Sequence, residues 1–395
     1  MSTNNGQCSV VFNKMEFESI ISSAKNSAES KTVLPILTTF LIEVNGARYS
    51  VKATDLENYV RIEGSPETTN QQCTVCVNSK KLIDIVKTLP ATTLTMTLVE
   101  DNTGKGSYVQ IQSGRSKFKL TLADASEFPA FPTIEEGMIS NGILGAMLLE
   151  GLERTDYATA KDTTNPVLTG VYASFKNNNG KPLVEFASTD GSRLTVFKKY
   201  YPQDEQHVNI NDVSFTIPKK TIKILKDLVN QTAWINIYYK PGGSFLVFED
   251  KVSGWTLFSR LLEGEFPDYT MYIDQIERPI VAKAPTRDLK DFIKRLSVTV
   301  EGSVIPIKLT FADNVLVGET YDRELTEGKD EIDIEYTGSA FVVELNAKYL
   351  KDTIDYAPTD YVNISTDDPL NGILVSCGNL EEDGFYYASL IMPFG

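Results

Sequence analysis

One plan of local signals recurs three times along this chain, so whatever fold it takes must be built from three copies. Leu34-Pro35-Ile36-Leu37, Pro166-Val167-Leu168 and Ile305-Pro306-Ile307 each precede a strand-like stretch. Thr54-Asp55-Leu56 and Thr189-Asp190-Gly191 each end one, with Glu319-Thr320-Tyr321-Asp322 as a looser third copy. Val77-Asn78-Ser79-Lys80, Ile217-Pro218-Lys219-Lys220 and Leu345-Asn346-Ala347-Lys348 each open an amphipathic segment, and their last lysines stand 140 and 128 residues apart. Glu127-Phe128-Pro129 and Glu265-Phe266-Pro267 close the first two copies. That period is too long for a solenoid and is the size of a small domain. Three domains are expected in the 395 residues, over 1–135, 136–276 and 277–395.

Each copy reads alike. A first helix is expected over 14–28, 143–155 and 286–296; in the last, Leu289, Phe292, Ile293 and Leu296 fall on one face. A second helix starts at each lysine landmark, carrying Leu82, Ile83, Ile85 and Val86 in the first copy and Ile222, Ile224 and Leu225 in the second. Short β-rich stretches such as Trp234-Ile235-Asn236-Ile237-Tyr238-Tyr239 lie between, broken by turn signals at Asn178-Asn179-Gly180 and Pro241-Gly242-Gly243. The predicted domain is α+β, two helices and about eight strands, with the helices on one side of antiparallel sheet.

The chemistry that the chain lacks narrows its function. His207 is the single histidine, so Ser-His-Asp and Cys-His catalysis and His-rich metal sites have almost no material. Abundant carboxylates leave a paired-carboxylate enzyme as a rival reading, yet nothing marks one pair over another. Cys73-Thr74-Val75-Cys76 has no second pair at metal-ligand spacing, and Cys8 and Cys377 stand alone, so a structural role is expected. Asn102-Thr103-Gly104-Lys105-Gly106-Ser107 does not satisfy the phosphate-loop pattern and reads as a hairpin tip. No apolar run reaches the ~18 residues of a membrane helix. The polar residues 1–7 are unlike a signal peptide, and with four cysteines a reducing cytoplasm is expected. That weighs against a secreted adhesion or scaffold protein, the second rival.

Charge is segregated. The net charge is −15, yet Lys80, Lys81 and Lys87, then Lys219, Lys220, Lys223 and Lys226, then Lys348 and Lys351 all fall on second helices. A solvated helix face explains any one of these; recurrence in three copies points to a surface for nucleic-acid phosphates, contacted without sequence preference. The C-terminal Tyr386-Tyr387-Ala388-Ser389-Leu390 alternates as a last strand, and Ile391-Met392-Pro393-Phe394 overruns it as an apolar tail. That tail is either buried against the third domain or forms one wall of a groove for a partner peptide.

These residues carry a resemblance. Leu34-Pro35-Ile36-Leu37 with Thr54-Asp55-Leu56-Glu57, Ser113-Gly114-Arg115-Ser116-Lys117-Phe118, Thr189-Asp190-Gly191-Ser192-Arg193-Leu194, Gly264-Glu265-Phe266-Pro267-Asp268-Tyr269 and the terminal Met392-Pro393 stand in the order found in the bacterial DNA polymerase III beta subunits, the sliding clamps. The chain resembles that family along nearly its whole length. The resemblance implies a head-to-tail dimer, a ring of six domains lined by helices, which encircles double-stranded DNA and tethers a replicative polymerase. It implies no catalysis, cofactor, metal or membrane contact. DNA would meet Lys31, Lys80, Lys220 and Lys348. Short peptide motifs of the polymerase, clamp loader, repair polymerases or ligase would dock in a pocket between the second and third domains. Its walls would be Val167, Leu168, Thr189, Gly191, Arg193, Leu194, Pro267, Asn346, Tyr349, Leu390, Ile391, Met392 and Pro393. Phe118 and Leu120 of one chain would meet Val298 of the other at the dimer seam. A clamp-like protein of a mobile element or virus shares every one of these arguments.

Overall fold

The computed structural model describes residues 8–394, apart from 29–31, 91, 100–106, 203, 205–207, 209, 299–301, 303 and 322–326. His207, Lys31, Asp322 and the hairpin tip at 102–106 therefore lie outside the described residues.

Each copy of the repeat contributes two helices: α1 (Lys14–Ala24) and α2 (Ser79–Thr88), α3 (Gly145–Glu153) and α4 (Lys219–Leu228), and, after the four-residue α5 (Thr270–Ile273), α6 (Thr286–Ser297) and α7 (Ala347–Asp355). Asparagine starts three of them. The side-chain oxygens of Asn13, Asn78 and Asn346 accept the N–H of Glu16, Lys81 and Lys348, relieving helix-start donors that have no intrahelical acceptor. The α6 stripe of Leu289, Phe292, Ile293 and Leu296 is buried, as its spacing predicts. The first helix is shorter than expected, closing at Ala24 into a 3-10 turn over Lys25–Ser27.

The chain forms two compact units, residues 1–146 with 220–261 and residues 147–219 with 262–395. The middle repeat is thus divided between them. In the first unit its strand Trp255–Arg260 pairs antiparallel with Asn58–Gly64, extending one thirteen-stranded sheet. In the second unit Arg193–Tyr200 pairs antiparallel with Phe385–Ile391 in an eight-stranded sheet, and a separate four-stranded sheet runs from Glu327–Asp333 to Phe341–Asn346. Three repeats in sequence become two units because each join is a full strand ladder rather than a loose contact.

Packing fills each unit with aromatic and branched side chains. In the first, Phe12 stacks on Phe17 at 4.5 Å and meets Tyr49 edge-on at 4.8 Å. In the second, Leu194, Val196, Tyr269, Ile273, Leu374 and Leu390 form one buried cluster. Cysteine use departs from expectation: Cys8 and Cys73 are joined by a disulfide. The two lie 65 residues apart, but pairing of Val10 with Thr69 brings the strand starts together, with Cα atoms 6.2 Å apart. Cys76 and Cys377 are free and buried.

Candidate functional site

The recurring Thr-Asp motif is a hairpin corner with a defined hydrogen-bond pattern. In the first unit the Thr54 hydroxyl accepts the Leu56 N–H, and the Asp55 carboxylate accepts the N–H groups of Glu57 and Asn58. In the second unit Thr189 accepts the Gly191 N–H, and Asp190 accepts those of Ser192 and Arg193. The corner needs a left-handed residue at its third position, which is Leu56 at φ 73° in one copy and Gly191 at φ 89° in the other. The residue three after the aspartate is Asn58 in one copy and Arg193 in the other, and here the two corners part.

Asn58 is neutral and accepts the Thr221 hydroxyl of α4 at 2.8 Å. Arg193 brings a charge to a site only 8% exposed. Its Nε donates to Asp190 at 3.0 Å, its Nη1 to Asp352 of α7 at 2.8 Å and its Nη2 to the Tyr157 carbonyl at 2.7 Å. Its guanidinium carbon lies 5.2 Å from the centre of the Tyr157 ring and 4.5 Å from that of the Tyr349 ring, two cation–π contacts. Below it opens a pocket of about 340 Å³, lined by Leu168, Thr189, Gly191, Arg193, Leu194, Phe266, Pro267, Asp268, Tyr269, Tyr272, Leu390 and Met392. The register sets Leu194 directly opposite Leu390, which makes an apolar floor.

The far wall is held from behind. The Tyr269 hydroxyl donates to buried Glu185 at 2.9 Å, and Lys176 pairs with the same carboxylate at 2.8 Å. Lys198 answers Asp274 at 2.8 Å. Burial, then the Glu185 charge, push the Tyr269 phenol well above its ordinary range, so it stays a neutral donor. Asp268 is held below the usual carboxylate range by the hydroxyl and N–H of Thr270, so the pocket carries an ionised group on its rim.

Of the pocket residues expected from resemblance, Val167, Asn346, Tyr349, Ile391 and Pro393 do not line this cavity. Val167 is buried beneath Gly264, and Ile391 is buried in its strand. Asn346 caps α7, and Tyr349 acts behind the wall through Arg193. Sequence reasoning missed Phe266, Asp268, Tyr269 and Tyr272, although the Glu265-Phe266-Pro267 repeat had marked the segment. A larger cleft of about 740 Å³ in the first unit is a polar sheet face, where Lys52 pairs with Glu43 at 2.6 Å and Arg48 with Glu63 at 3.1 Å. Among the described residues no cluster of three or more His, Cys, Asp or Glu is arranged to hold a metal, and no helix is long and apolar enough to cross a membrane.

The cationic helices differ in how much charge they leave open. Lys80 and Lys348 are exposed. Lys220 is committed: its Nζ lies 2.7 Å from the carboxylate of Asp55, whose side chain is 1% exposed. Lys290 of α6 pairs with Asp355 of α7 at 2.6 Å, and Lys351 shares that carboxylate. Burial pushes the Asp355 carboxyl up, but hydrogen bonds from Lys290 and Lys351 outweigh it and hold the group below its ordinary range. Of the expected seam residues, Phe118 is partly exposed, Leu120 buried and Val298 exposed at the end of α6.

Three family models match the chain in order, described as the N-terminal domain of DNA polymerase III beta subunit over 9–132, its central domain over 143–268 and its C-terminal domain over 277–394. The chain is 27% identical over 372 residues to the "Beta sliding clamp" of Pseudomonas aeruginosa, covering 92% of this chain and 94% of that protein. It is 25% identical over 370 residues to that of Treponema pallidum, with the same coverage. The fold agrees with the crystal structure of the Thermotoga maritima DNA polymerase III beta subunit at a TM-score of 0.85 and 24% identity, over 98% of this chain and 99% of that one. A Pseudomonas aeruginosa sliding clamp solved bound to griselimycin superposes at a TM-score of 0.85 and 22% identity, over 99% of this chain and all of that one.

Proposed function

The chain belongs to the DNA polymerase III beta subunit family and acts as a DNA sliding clamp, and we propose that it holds its partners by apolar peptide segments seated in the pocket below Arg193. The observation that carries this reading is the Leu194–Leu390 floor with Met392 at its mouth: an apolar, concave site at a surface, backed by a rigid polar frame. The ligand-bound relative supports it, since a clamp of the same fold accepts a bound molecule. Replicative polymerase, clamp loader and repair enzymes are the partners this reading assigns. The protein does no covalent chemistry in it and works in the cytoplasm.

Two further features support a closed dimer. Within the chain, each join sets the third hairpin strand of one repeat against the last strand of the next, Asn58–Gly64 on Trp255–Arg260 and Arg193–Tyr200 on Phe385–Ile391. The corresponding strand of the third repeat, Glu327–Asp333, has a ladder on one side only among the described residues. The last strand of the first repeat, Ser116–Ala123, meets its second neighbour only through Leu122 and Ala123. The first of these open edges carries Glu327, Asp330, Glu331 and Asp333, and the second carries Lys117 and Lys119. Joining them between two copies repeats the internal rule and pairs opposite charges.

Enclosure explains why weak cations suffice. A ring around duplex DNA needs no tight grip, and exposed lysine–phosphate attractions of ~0–1 kcal/mol each let it slide. Loading the protein on nicked circular DNA and then linearising the circle tests this. Retention on the circle with loss after linearisation is expected; equal loss from both forms refutes enclosure.

A further inference from the structure

We propose that the Cys8–Cys73 disulfide is a redox switch on the dimer seam, opened by a small anionic thiol that enters the polar cleft of the first unit. The inference rests on the dimer and cytoplasmic readings above and adds what they leave open, a means of changing the strength of the ring.

Five neighbouring strands carry the argument. Cys73–Asn78, Ser116–Ala123, Tyr108–Ser113, Thr93–Val99 and Ser9–Asn13 follow one another in the first unit's sheet. Cys8 stands at the head of the last, its carbonyl accepting the Leu98 N–H at 2.8 Å, and Cys73 opens the first. Their bond therefore ties the two ends of the run into a closed circuit. Within it, Ser116–Ala123 carries the cationic edge that faces the seam, and it meets Cys73–Asn78 only through the pairs Cys76–Ala123 and Val77–Leu122. So short a ladder fixes the angle of that strand poorly, and the covalent closure supplies the restraint by removing freedom from the rest of the circuit.

The bond can be reached from one side. Cys8 is 2% exposed, whereas Cys73 is half-buried and lines the cleft of about 740 Å³. In that lining Arg48, Lys52 and Arg61 stand against Glu43 and Glu63, which leaves one positive charge in excess, and the Arg48 side chain is 78% exposed. A small thiol that carries carboxylates suits such a site in size and charge. Its thiolate attacks the Cys73 sulfur, forming a mixed disulfide and expelling the Cys8 thiolate, which takes up a proton. A second small thiol then attacks the mixed disulfide, leaves joined to the first, and frees the Cys73 thiol. Two electrons and two protons pass from the two small thiols to the two cysteines, and an excess of the small disulfide drives the same steps backwards. In a reducing compartment a disulfide of this kind is transient and reports the thiol balance.

The full chain, poised with oxidised or with reduced glutathione, tests this by sedimentation and by amide hydrogen exchange. Reduction should weaken the dimer and speed exchange over residues 116–123 by about tenfold or more each. Cys8→Ser and, independently, Cys73→Ser should behave as the reduced wild type in both buffers. Equal exchange in the two redox states of the wild type, or a response that persists in either serine variant, overturns the switch. A protein monomeric in both states would instead remove the dimer reading, and exchange over 116–123 would still decide the switch. For the cleft, Arg48→Glu with Arg61→Glu should slow opening by reduced glutathione about fivefold relative to opening by neutral 2-mercaptoethanol. An unchanged ratio overturns the cleft as the way in.

Discussion

Lys220 and Asp55 form an ion pair of 2.7 Å in which the lysine is half-exposed and the carboxylate is sealed, with 1% of its side chain accessible. Asp55 is the corner residue of the first Thr-Asp motif, so the lysine helps to hold the Asn58–Gly64 strand against α4. Lys220→Ala should therefore lower the unfolding free energy by about 1 kcal/mol, the cost of stripping one partner from a buried acceptor that keeps others. Lys80→Ala should leave stability unchanged and reduce only salt-sensitive DNA association. Chemical denaturation of the two variants side by side separates the roles; equal stability would show that the pair contributes nothing to folding.

The pocket floor and mouth should respond differently to truncation. Leu194 is buried in the second unit's cluster, so Leu194→Ala is expected to cost about 2–5 kcal/mol of stability as well as peptide affinity. Met392 is 40% exposed, and Met392→Ala should weaken peptide binding on the order of tenfold while the melting temperature holds. Calorimetric binding together with thermal melting distinguishes the two, and a large stability loss in Met392→Ala would contradict its place at the mouth.

The Lys290–Asp355–Lys351 cluster ties α6 to α7 and makes their joint pH-dependent. A carboxyl held below its unfolded value stabilises the fold fully above that value, near ~3.9, and loses the contribution as pH falls through the lower folded value. Melting temperature should therefore drop on acidification below about pH 4 more steeply in the wild type than in Asp355→Asn. Parallel curves for the two proteins would count against this linkage.

The open edges predict an ion-dependent dimer. Lys117→Glu with Lys119→Glu should drive the protein toward the 43.9 kDa monomer in sedimentation, and raised salt should do the same to the wild type. Adding Glu331→Lys to the double variant should recover part of the dimer. A dimer indifferent to both charge reversal and salt would place the seam elsewhere.

Much of the fold was open to reading before any coordinates. The α6 stripe, the asparagine starts of α2 and α7 and the paired Thr-Asp corners are all local patterns whose hydrogen bonds span a few residues, so spacing alone reports them. The Cys8–Cys73 link was invisible because 65 intervening residues carry no local trace of it. Tyr269 and Tyr272 escaped for a related reason, since their place in the pocket depends on how the 264–273 segment folds against two strands from other parts of the chain. Lys220 and Lys348 look alike as landmarks, and only the coordinates show that one of them faces a sealed carboxylate.

The sequence by itself determined that there are three equivalent modules, that each is two helices on antiparallel sheet, and that positive charge gathers on helices of an acidic protein. These follow from periodicity and composition, which are properties of neighbours along the chain. Tertiary structure alone decided that the middle module is shared between two compact units, that Leu194 lies opposite Leu390, and that Asp352 reaches Arg193. Each of these needs strands or helices more than a hundred residues apart to meet in one register, and register is set by the whole set of buried faces rather than by any local run.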